Sequence, residues 1–303
     1  PGAIERAVAS ATLLAEAAGT EIGEPELVAG IRNNIAETIG DLARRVDVKQ
    51  SWADLVLSPD LLDQIQALIG RVRHAHQVYE EWGYSQKAAR GLGVPALFSG
   101  PPGTGKTMVA GIIARELGLE LLQVDLSQIV SKWVGETEKQ LSKVFDAAEA
   151  GHALLLFDEA DSLFAKRTEV TGATDRYANL EVNYLLQRVE SFGGITILTT
   201  NLDSSMDPAL KRRLASHIVF WPPDEEERIA LWRRTLTTGA APVCEDVDLH
   251  RLARVYADMT GANIRNAVLA AAFLAATEST RITHEHLDRA AKGEYRTMGR
   301  LLR

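Results

Sequence analysis

The stretch Gly100–Thr107 constrains this chain more than any other part of its sequence. It reads Gly-Pro-Pro-Gly-Thr-Gly-Lys-Thr and fits the pattern G-x-x-x-x-G-K-[ST] at every fixed position. The apolar run Ala96–Phe98 precedes it and predicts a buried strand. Apolar positions at helical spacing follow it, namely Val109, Ile112, Ile113 and Leu117. A strand, a glycine-rich turn and a helix are the context in which this pattern binds phosphate, and a chance turn lacks such flanks.

The residue types in this loop indicate how it would hold a nucleotide. Glycines let backbone N–H groups converge on phosphate oxygens, and the N-terminus of the following helix adds its positive end. Lys106 is placed for the β- and γ-phosphates and Thr107 for Mg²⁺. We therefore predict the following nucleotide-binding residues: Gly100, Pro101, Pro102, Gly103, Thr104, Gly105, Lys106 and Thr107.

Composition excludes several other classes of protein. The chain has 303 residues, which is enough for about two domains. No apolar run approaches the roughly 18 residues of a membrane span, and charged residues interrupt the Ala-rich start, so we expect no signal peptide and no membrane. Cys244 is the single cysteine, which excludes a disulfide framework and favours the cytoplasm. A formal charge of −8 argues against duplex nucleic acid as the main partner.

From residue 91 onward, short apolar runs alternate with helical patterns. The predicted strands are Ala96–Ser99, Glu120–Val124, Ala153–Phe157, Ile195–Thr199 and Ile218–Phe220. This alternation predicts an α/β fold with a parallel sheet covered on both faces. Ligands of such sheets bind beyond the carboxyl ends of the strands.

After Pro222 and Pro223 the pattern predicts helices alone, around Glu225–Leu236, Leu249–Tyr256, Ala262–Thr277 and His284–Tyr295. Asp224 with Glu227 resembles a capping box at the first of them. We predict a helical N-terminal region over 1–50, an α/β domain over 51–222 and a small helical domain over 223–303. The N-terminal region is either a docking module or a helical lead-in packed on the body.

Two further strand ends carry polar residues suited to phosphate chemistry. Leu154–Phe157 leads into Asp158 and Glu159. Asp158 would bind Mg²⁺, which prefers oxygen ligands, and Glu159 would act as general base on a water molecule. Asn201 ends the next strand, where its amide either orients water or simply forms a turn.

A short predicted helix, Asp207–Arg213, ends in basic residues. Pro208 at its first position and the Asp207 cap favour the helix. Arg212 and Arg213 either complement the helix dipole or act as arginine fingers on a neighbouring subunit's nucleotide.

With these motifs the chain resembles the AAA+ ATPases over roughly residues 51–300, and among them AAA-type proteins such as katanin and spastin. Its detailed sequence is also similar to that of the ATPases that accompany contractile injection systems. The resemblance implies a P-loop NTPase fold with a five-stranded sheet, a helical lid domain and a ring, usually of six subunits. It implies ATP and Mg²⁺ as ligands, with Lys106 and Thr107 in Walker A, Asp158 and Glu159 in Walker B, Asn201 as sensor 1, and Arg212 and Arg213 as trans-acting fingers.

Two further segments are interpreted through this resemblance. The segment Lys132, Trp133, Val134 and Gly135 resembles the first pore loop, in which an exposed aromatic ring grips an extended polypeptide. The alternative is a Trp buried at a helix edge. Arg265 resembles a sensor 2 arginine that contacts phosphate in cis, or is a solvent-facing charge. The chain departs from the family in its adjacent arginines and in Gln187–Phe192, which lacks the Met-Asp-Gly often used for signalling between subunits.

We therefore expect an ATPase that remodels, unfolds or disassembles a protein substrate as a homo-hexameric ring in the cytoplasm. One alternative is a nucleic-acid machine such as a helicase loader, which predicts a basic stripe that the sequence lacks. The other is a nucleotide-gated scaffold without useful turnover, against which Glu159, Asn201 and the two arginines argue.

Overall fold

The computed structural model describes residues 2–23, 25–27, 29–30, 39, 42–84, 93–126, 136–161, 183–201, 213–238 and 240–300. The chain divides into two compact units. The first comprises Pro1–Lys49, Gln66–Ser99 and Thr107–Ile218, and the second comprises Gln50–Ile65, Gly100–Lys106 and Val219–Arg303.

A six-stranded sheet organises the first unit. Its strands are β1 (Ala43–Arg45), β2 (Val94–Ser99), β3 (Glu120–Val124), β4 (Ala153–Phe157), β5 (Ile195–Thr200) and β6 (Ser216–Val219). Their order in the sheet is β1-β3-β4-β5-β2-β6. The pairs β3–β4, β4–β5 and β5–β2 are parallel, and every residue of β2, β4 and β5 is buried. Burial on both faces favours strands that are rich in apolar residues, as the sequence predicts here.

The sheet has six strands rather than the expected five parallel strands, because β1 is added at one edge. The five predicted strands are present, and β1 adds a sixth that pairs antiparallel with β3. It lies in the region predicted to be helical, whose first helix, α1, spans Gly2–Ala18. A strand of three residues is too short to show an alternating pattern in the sequence. It is therefore recognised only from its pairing with the edge of β3 in the structure.

Helices and an aromatic cluster complete the first unit. Its helical segments are α2 (Pro59–Arg73, which begins in the second unit), α3 (Lys106–Glu116), α4 (Glu136–Ala150) and residues 183–191. The Phe145 ring packs against Phe157 and Phe192 at centroid distances of 5.9 and 5.4 Å. These rings belong to one hydrophobic core, which packs around Phe157, the last residue of β4.

The second unit is mainly helical. It contains α5 (Glu225–Thr238), α6 (Leu249–Val255), α7 (Gly261–Thr277) and α8 (His284–Thr297), around a core that includes Trp232, Tyr256 and Leu287. The predicted capping box is confirmed, because Glu227 N donates to Asp224 Oδ1 at 2.8 Å and Asp224 N donates to Glu227 Oε2 at 2.9 Å. Within the described part of the chain, no helix has the length and apolar character needed to cross a membrane.

Candidate nucleotide-binding site

The phosphate loop requires glycine at two positions for reasons of space. A Cβ at Gly100 would lie 2.1 Å from the Phe220 carbonyl oxygen, and one at Gly103 would lie 2.5 Å from Thr260 Oγ1. Both glycines have positive φ, at 140° and 78°. Residues with a side chain rarely adopt such backbone conformations, so the loop keeps its shape only with glycine at these two positions.

Lys106 is folded back onto this loop. Its Nζ donates to the carbonyl oxygens of Gly100 at 2.6 Å and Pro101 at 2.9 Å, and its side chain is buried. Thr104 Oγ1 also donates to Pro101 O, at 2.9 Å. A buried ammonium group therefore lies at the first residue of α3, where the N-terminal end of the helix already favours anions.

The start of helix α7 lies against the same loop. Ala262 N is 3.3 Å from Gly103 O, and Thr260 with Asn263 forms a capping box that fixes the first turn. Arg265 follows Gly261 by one helical turn and is exposed. The residue predicted as sensor 2 thus belongs to the helix whose first residues contact the phosphate loop.

Asp158 collects hydrogen bonds from three elements of the first unit. Thr107 Oγ1, in the first turn of α3, lies 3.3 and 3.2 Å from the two carboxylate oxygens. Thr199 Oγ1, on β5, donates to Oδ1 at 2.5 Å, and Gln123 Nε2, on β3, donates to Oδ2 at 2.8 Å. The structure therefore brings together Thr107 and Asp158, the two residues predicted to bind metal.

This donor set fits Mg²⁺. One hydroxyl and one carboxylate are oxygen ligands, and Mg²⁺ is usually bound by one or two carboxylates together with substrate phosphates and water. In the residues that the structure describes, no group of three or more His, Cys, Asp or Glu side chains could hold a metal by itself. The residues thus suit a cation that arrives with a nucleotide.

Glu159 stands in an unusual backbone conformation. Its φ is 53°, its side chain is exposed, and its N–H donates to Thr199 Oγ1 at 3.0 Å. A non-glycine residue in this region costs about 1–2 kcal/mol, which the surrounding contacts offset. The turn directs the Glu159 side chain away from the buried strand and leaves it accessible to water.

The structure adds Asp161, to which the sequence assigned no role. Its carboxylate accepts hydrogen bonds from Thr200 Oγ1, from Asn201 N at 2.9 Å and from Asn201 Nδ2 at 3.5 Å. Asp161 therefore anchors the predicted sensor 1 residue. Gln123 and Thr199 were also missed, and the signal for both was a polar side chain within a predicted strand.

The structure describes only some of the other predicted site residues. Arg212 and the segment Lys132–Gly135 lie outside the described residues. Arg213 is half exposed, and its Nε lies 3.4 Å from Glu190 Oε1.

A strand, a glycine-rich loop, a helix that begins with Lys-Thr and an aspartate directly after another strand of the same sheet define a P-loop nucleoside triphosphatase fold. Residues 96–221 match the model of the ATPase family associated with various cellular activities (AAA). This part of the chain is therefore similar to the AAA ATPase domain.

Longer proteins are similar to this chain over part of their length. The chain is 35% identical over 172 residues to a cell division cycle protein 48 homolog of Archaeoglobus fulgidus, covering 55% of this chain and 23% of that protein. It is 36% identical over 174 residues to the peroxisomal ATPase PEX1 of Cricetulus griseus, covering 56% and 13%. It is 29% identical over 255 residues to a proteasome-activating nucleotidase of Methanopyrus kandleri, covering 80% and 58%.

Proposed function

We propose that this chain binds ATP with Mg²⁺, hydrolyses the γ-phosphate and uses the cycle to remodel a protein substrate. One observation supports the nucleotide chemistry most directly. The Thr107 hydroxyl, one residue after Lys106 at the start of α3, lies 3.2–3.3 Å from both carboxylate oxygens of Asp158. This short distance supports a metal ion shared by Thr107 and Asp158.

In the proposed mechanism each described residue has one task. Lys106 exchanges the carbonyl oxygens of Gly100 and Pro101 for phosphate oxygens, which bind an ammonium group more strongly because they are charged. Thr107 and Asp158 would hold Mg²⁺, which would supply positive charge against the phosphates. Glu159 accepts the proton of the attacking water, and Asn201, held by Asp161, orients that water.

Remodelling and assembly form the wider part of the proposal. The names of the relatives include a proteasome-activating nucleotidase and a peroxisomal ATPase, which favours protein substrates over nucleic acid. A homo-hexameric ring would let Arg212 and Arg213 of one subunit reach the nucleotide of the next, and Lys132–Gly135 would contact the substrate. Helices α5–α8 would form the lid of the predicted domain 223–303, with Arg265 on the phosphates, and 1–50 would be the docking region. The composition favours the cytoplasm as the location that we propose.

The nucleotide part is tested by calorimetry and ATPase assays on three proteins. We expect Lys106→Ala to lose tight ATP binding, because the buried cation is removed from the phosphate site. Glu159→Gln should bind ATP as wild type does and hydrolyse it at least about 100-fold more slowly, which is the scale of a positioned general base. Equal ATP affinity in wild type and Lys106→Ala would show that the loop has another role.

The assembly part needs mixed rings. Subunits that carry Arg212→Ala with Arg213→Ala should regain turnover when mixed with Lys106→Ala subunits, because some interfaces then pair an intact pocket with intact arginines. Stimulation of turnover by single-stranded DNA, and by no protein, would favour the nucleic-acid machine. ATP binding without turnover under any condition would favour the scaffold.

A further inference from the structure

The Asp158 carboxylate ends a line of polar side chains that crosses three strands. Arg44 on β1 lies opposite Gln123 on β3, and Gln123 lies opposite Leu156 on β4. Side chains two residues apart along a chain in strand geometry share a face, so Asp158 continues the face of Leu156. The strand register therefore places a guanidinium group, an amide and the carboxylate side by side on one face of the sheet.

The contacts determine how the amide is oriented. Arg44 Nε and Nη2 donate to Gln123 Oε1 at 3.0 and 2.8 Å, and Gln123 Nε2 donates to Asp158 Oδ2 at 2.8 Å. A guanidinium group has only donors, so the carbonyl oxygen of Gln123 must face Arg44. The amide nitrogen then faces Asp158, and the reverse orientation would place two donors against each other.

This arrangement holds both oxygens of the carboxylate. Gln123 binds Oδ2, while Thr199 Oγ1 binds Oδ1 at 2.5 Å, so the carboxylate cannot rotate without losing a hydrogen bond. Groups that orient a ligating carboxylate in this way raise its affinity for metal. Arg44 also polarises the Gln123 amide and thereby strengthens its N–H as a donor.

We propose that Gln123 is a positioning residue for Asp158 and that Arg44 acts through it, so that metal-assisted nucleotide binding depends on the docking of β1. The inference rests on the proposed function, in which Asp158 and Thr107 hold Mg²⁺. Strand β1 has three residues and Arg44 is exposed, so this end of the line opens more easily than the buried strands do. Strand β1 thereby influences the metal-binding carboxylate through Gln123.

Arg45 provides the matched control. It is the next residue on β1 and is also exposed, but it lies opposite Leu122 and pairs with Glu120 at 2.5 Å, on the other face of the strand. Replacing Arg44 or Arg45 by Gln makes the same change of charge in the same strand. Only Arg44→Gln removes a partner of Gln123.

The experiment uses the full chain carrying Glu159→Gln, so that ATP persists. Binding of a fluorescent ATP analogue is titrated against Mg²⁺, and Mn²⁺ binding to the nucleotide complex is followed by electron paramagnetic resonance. Gln123→Leu should raise the Mg²⁺ concentration for half-maximal binding by about 10- to 100-fold. Arg44→Gln should raise it about 2- to 10-fold, because Arg44 acts on Asp158 only through the Gln123 amide, and Arg45→Gln should leave it within about twofold.

Two further results are expected. The double variant Arg44→Gln/Gln123→Leu should match Gln123→Leu alone, because Arg44 acts through the amide. ATP binding in the presence of EDTA should be the same in all variants. Additive effects in the double variant, equal effects of Arg44→Gln and Arg45→Gln, or loss of metal-free ATP binding in both Gln123→Leu and Gln123→Met would each overturn the proposal.

Asp158→Asn separates this inference from the proposed function. If Asp158→Asn binds ATP with the same Mg²⁺ dependence as the parent, the assignment of the metal site itself is wrong. If Asp158→Asn loses that dependence while Gln123→Leu retains it, the metal assignment stands and the positioning role of Gln123 is rejected.

Discussion

Thr199 supports both acidic residues of the candidate site through a single hydroxyl group. Its Oγ1 donates to Asp158 Oδ1 at 2.5 Å and accepts the Glu159 N–H at 3.0 Å, and the side chain is buried. Thr199→Val keeps the shape and removes both hydrogen bonds. We therefore expect it to lower stability and turnover together.

The magnitude follows from these two contacts. A hydrogen bond to a charged carboxylate contributes about 1.5–3 kcal/mol and the one from the neutral N–H about 1 kcal/mol. The buried methyl group of Val offsets about 1 kcal/mol of this loss. We expect a net destabilisation of about 2 kcal/mol, and a 10- to 100-fold fall in kcat because Asp158 and Glu159 lose their common support.

Thr196 is the matched control for this prediction. It lies on the same strand and is buried, but its Oγ1 has no hydrogen-bond partner among the residues that the structure describes. Thr196→Val removes an unsatisfied buried hydroxyl group, so it should be neutral or stabilising by up to about 1 kcal/mol. Urea unfolding followed by circular dichroism, together with ATPase rates, measures both variants. If the two variants have equal unfolding midpoints and equal kcat, the support assigned to Thr199 does not exist.

Two other predictions concern the second unit and the substrate. Asp248 caps α6, and the Arg251 N–H, 2.9 Å from its carboxylate, lowers the pKa of Asp248. Because the folded pKa lies below the unfolded one, the cap stabilises the folded state above about pH 4. This stabilisation is lost as the pH falls. Asp248→Asn should therefore show a flatter loss of melting temperature between about pH 5 and pH 2 than wild type, and equal slopes would contradict this role. Trp133→Ala should retain basal ATPase activity within a few-fold and lose substrate remodelling, whereas Trp133→Phe should keep both. The reason is that an aromatic contact with the substrate contributes about 1–3 kcal/mol per engaged subunit. Normal remodelling by Trp133→Ala in a fluorescence unfolding assay would exclude the pore-loop interpretation.

Local pattern was sufficient to predict the main elements of the fold. Strands β3 and β4 have the predicted bounds, because each lies between clear helix signals. Strand β6 begins at Ser216, two residues before its predicted start. The prediction relied on apolar residues and therefore left out the polar residues Ser216 and His217. The structure shows why these polar residues are tolerated: His217 Nε2 lies 2.8 Å from Ser99 Oγ on the neighbouring strand.

The residues that surround Asp158 could not be predicted in the same way. Gln123 and Thr199 come from different strands, and they meet Asp158 only when strand order and register are known. Asp161 follows Glu159 by two residues, but its hydrogen bonds to Thr200 and Asn201 depend on how β4 and β5 pair. The roles of Arg212 and Trp133 remain predictions, because both residues lie outside the described parts of the chain.

Strand β1 also has a consequence for the solubility of shortened forms of this protein. It covers the edge of β3, where Val46 N donates to Leu121 O at 2.9 Å in continuation of the ladder. Unpaired strand edges recruit strands from other molecules, and short edge strands that carry positive charge suppress such growth. Arg44 and Arg45 provide that charge at this edge. A version of the domain cut at residue 51, the boundary that the sequence predicts, would expose β3 to self-association, so a shortened form that is to remain monodisperse has to begin before Ala43.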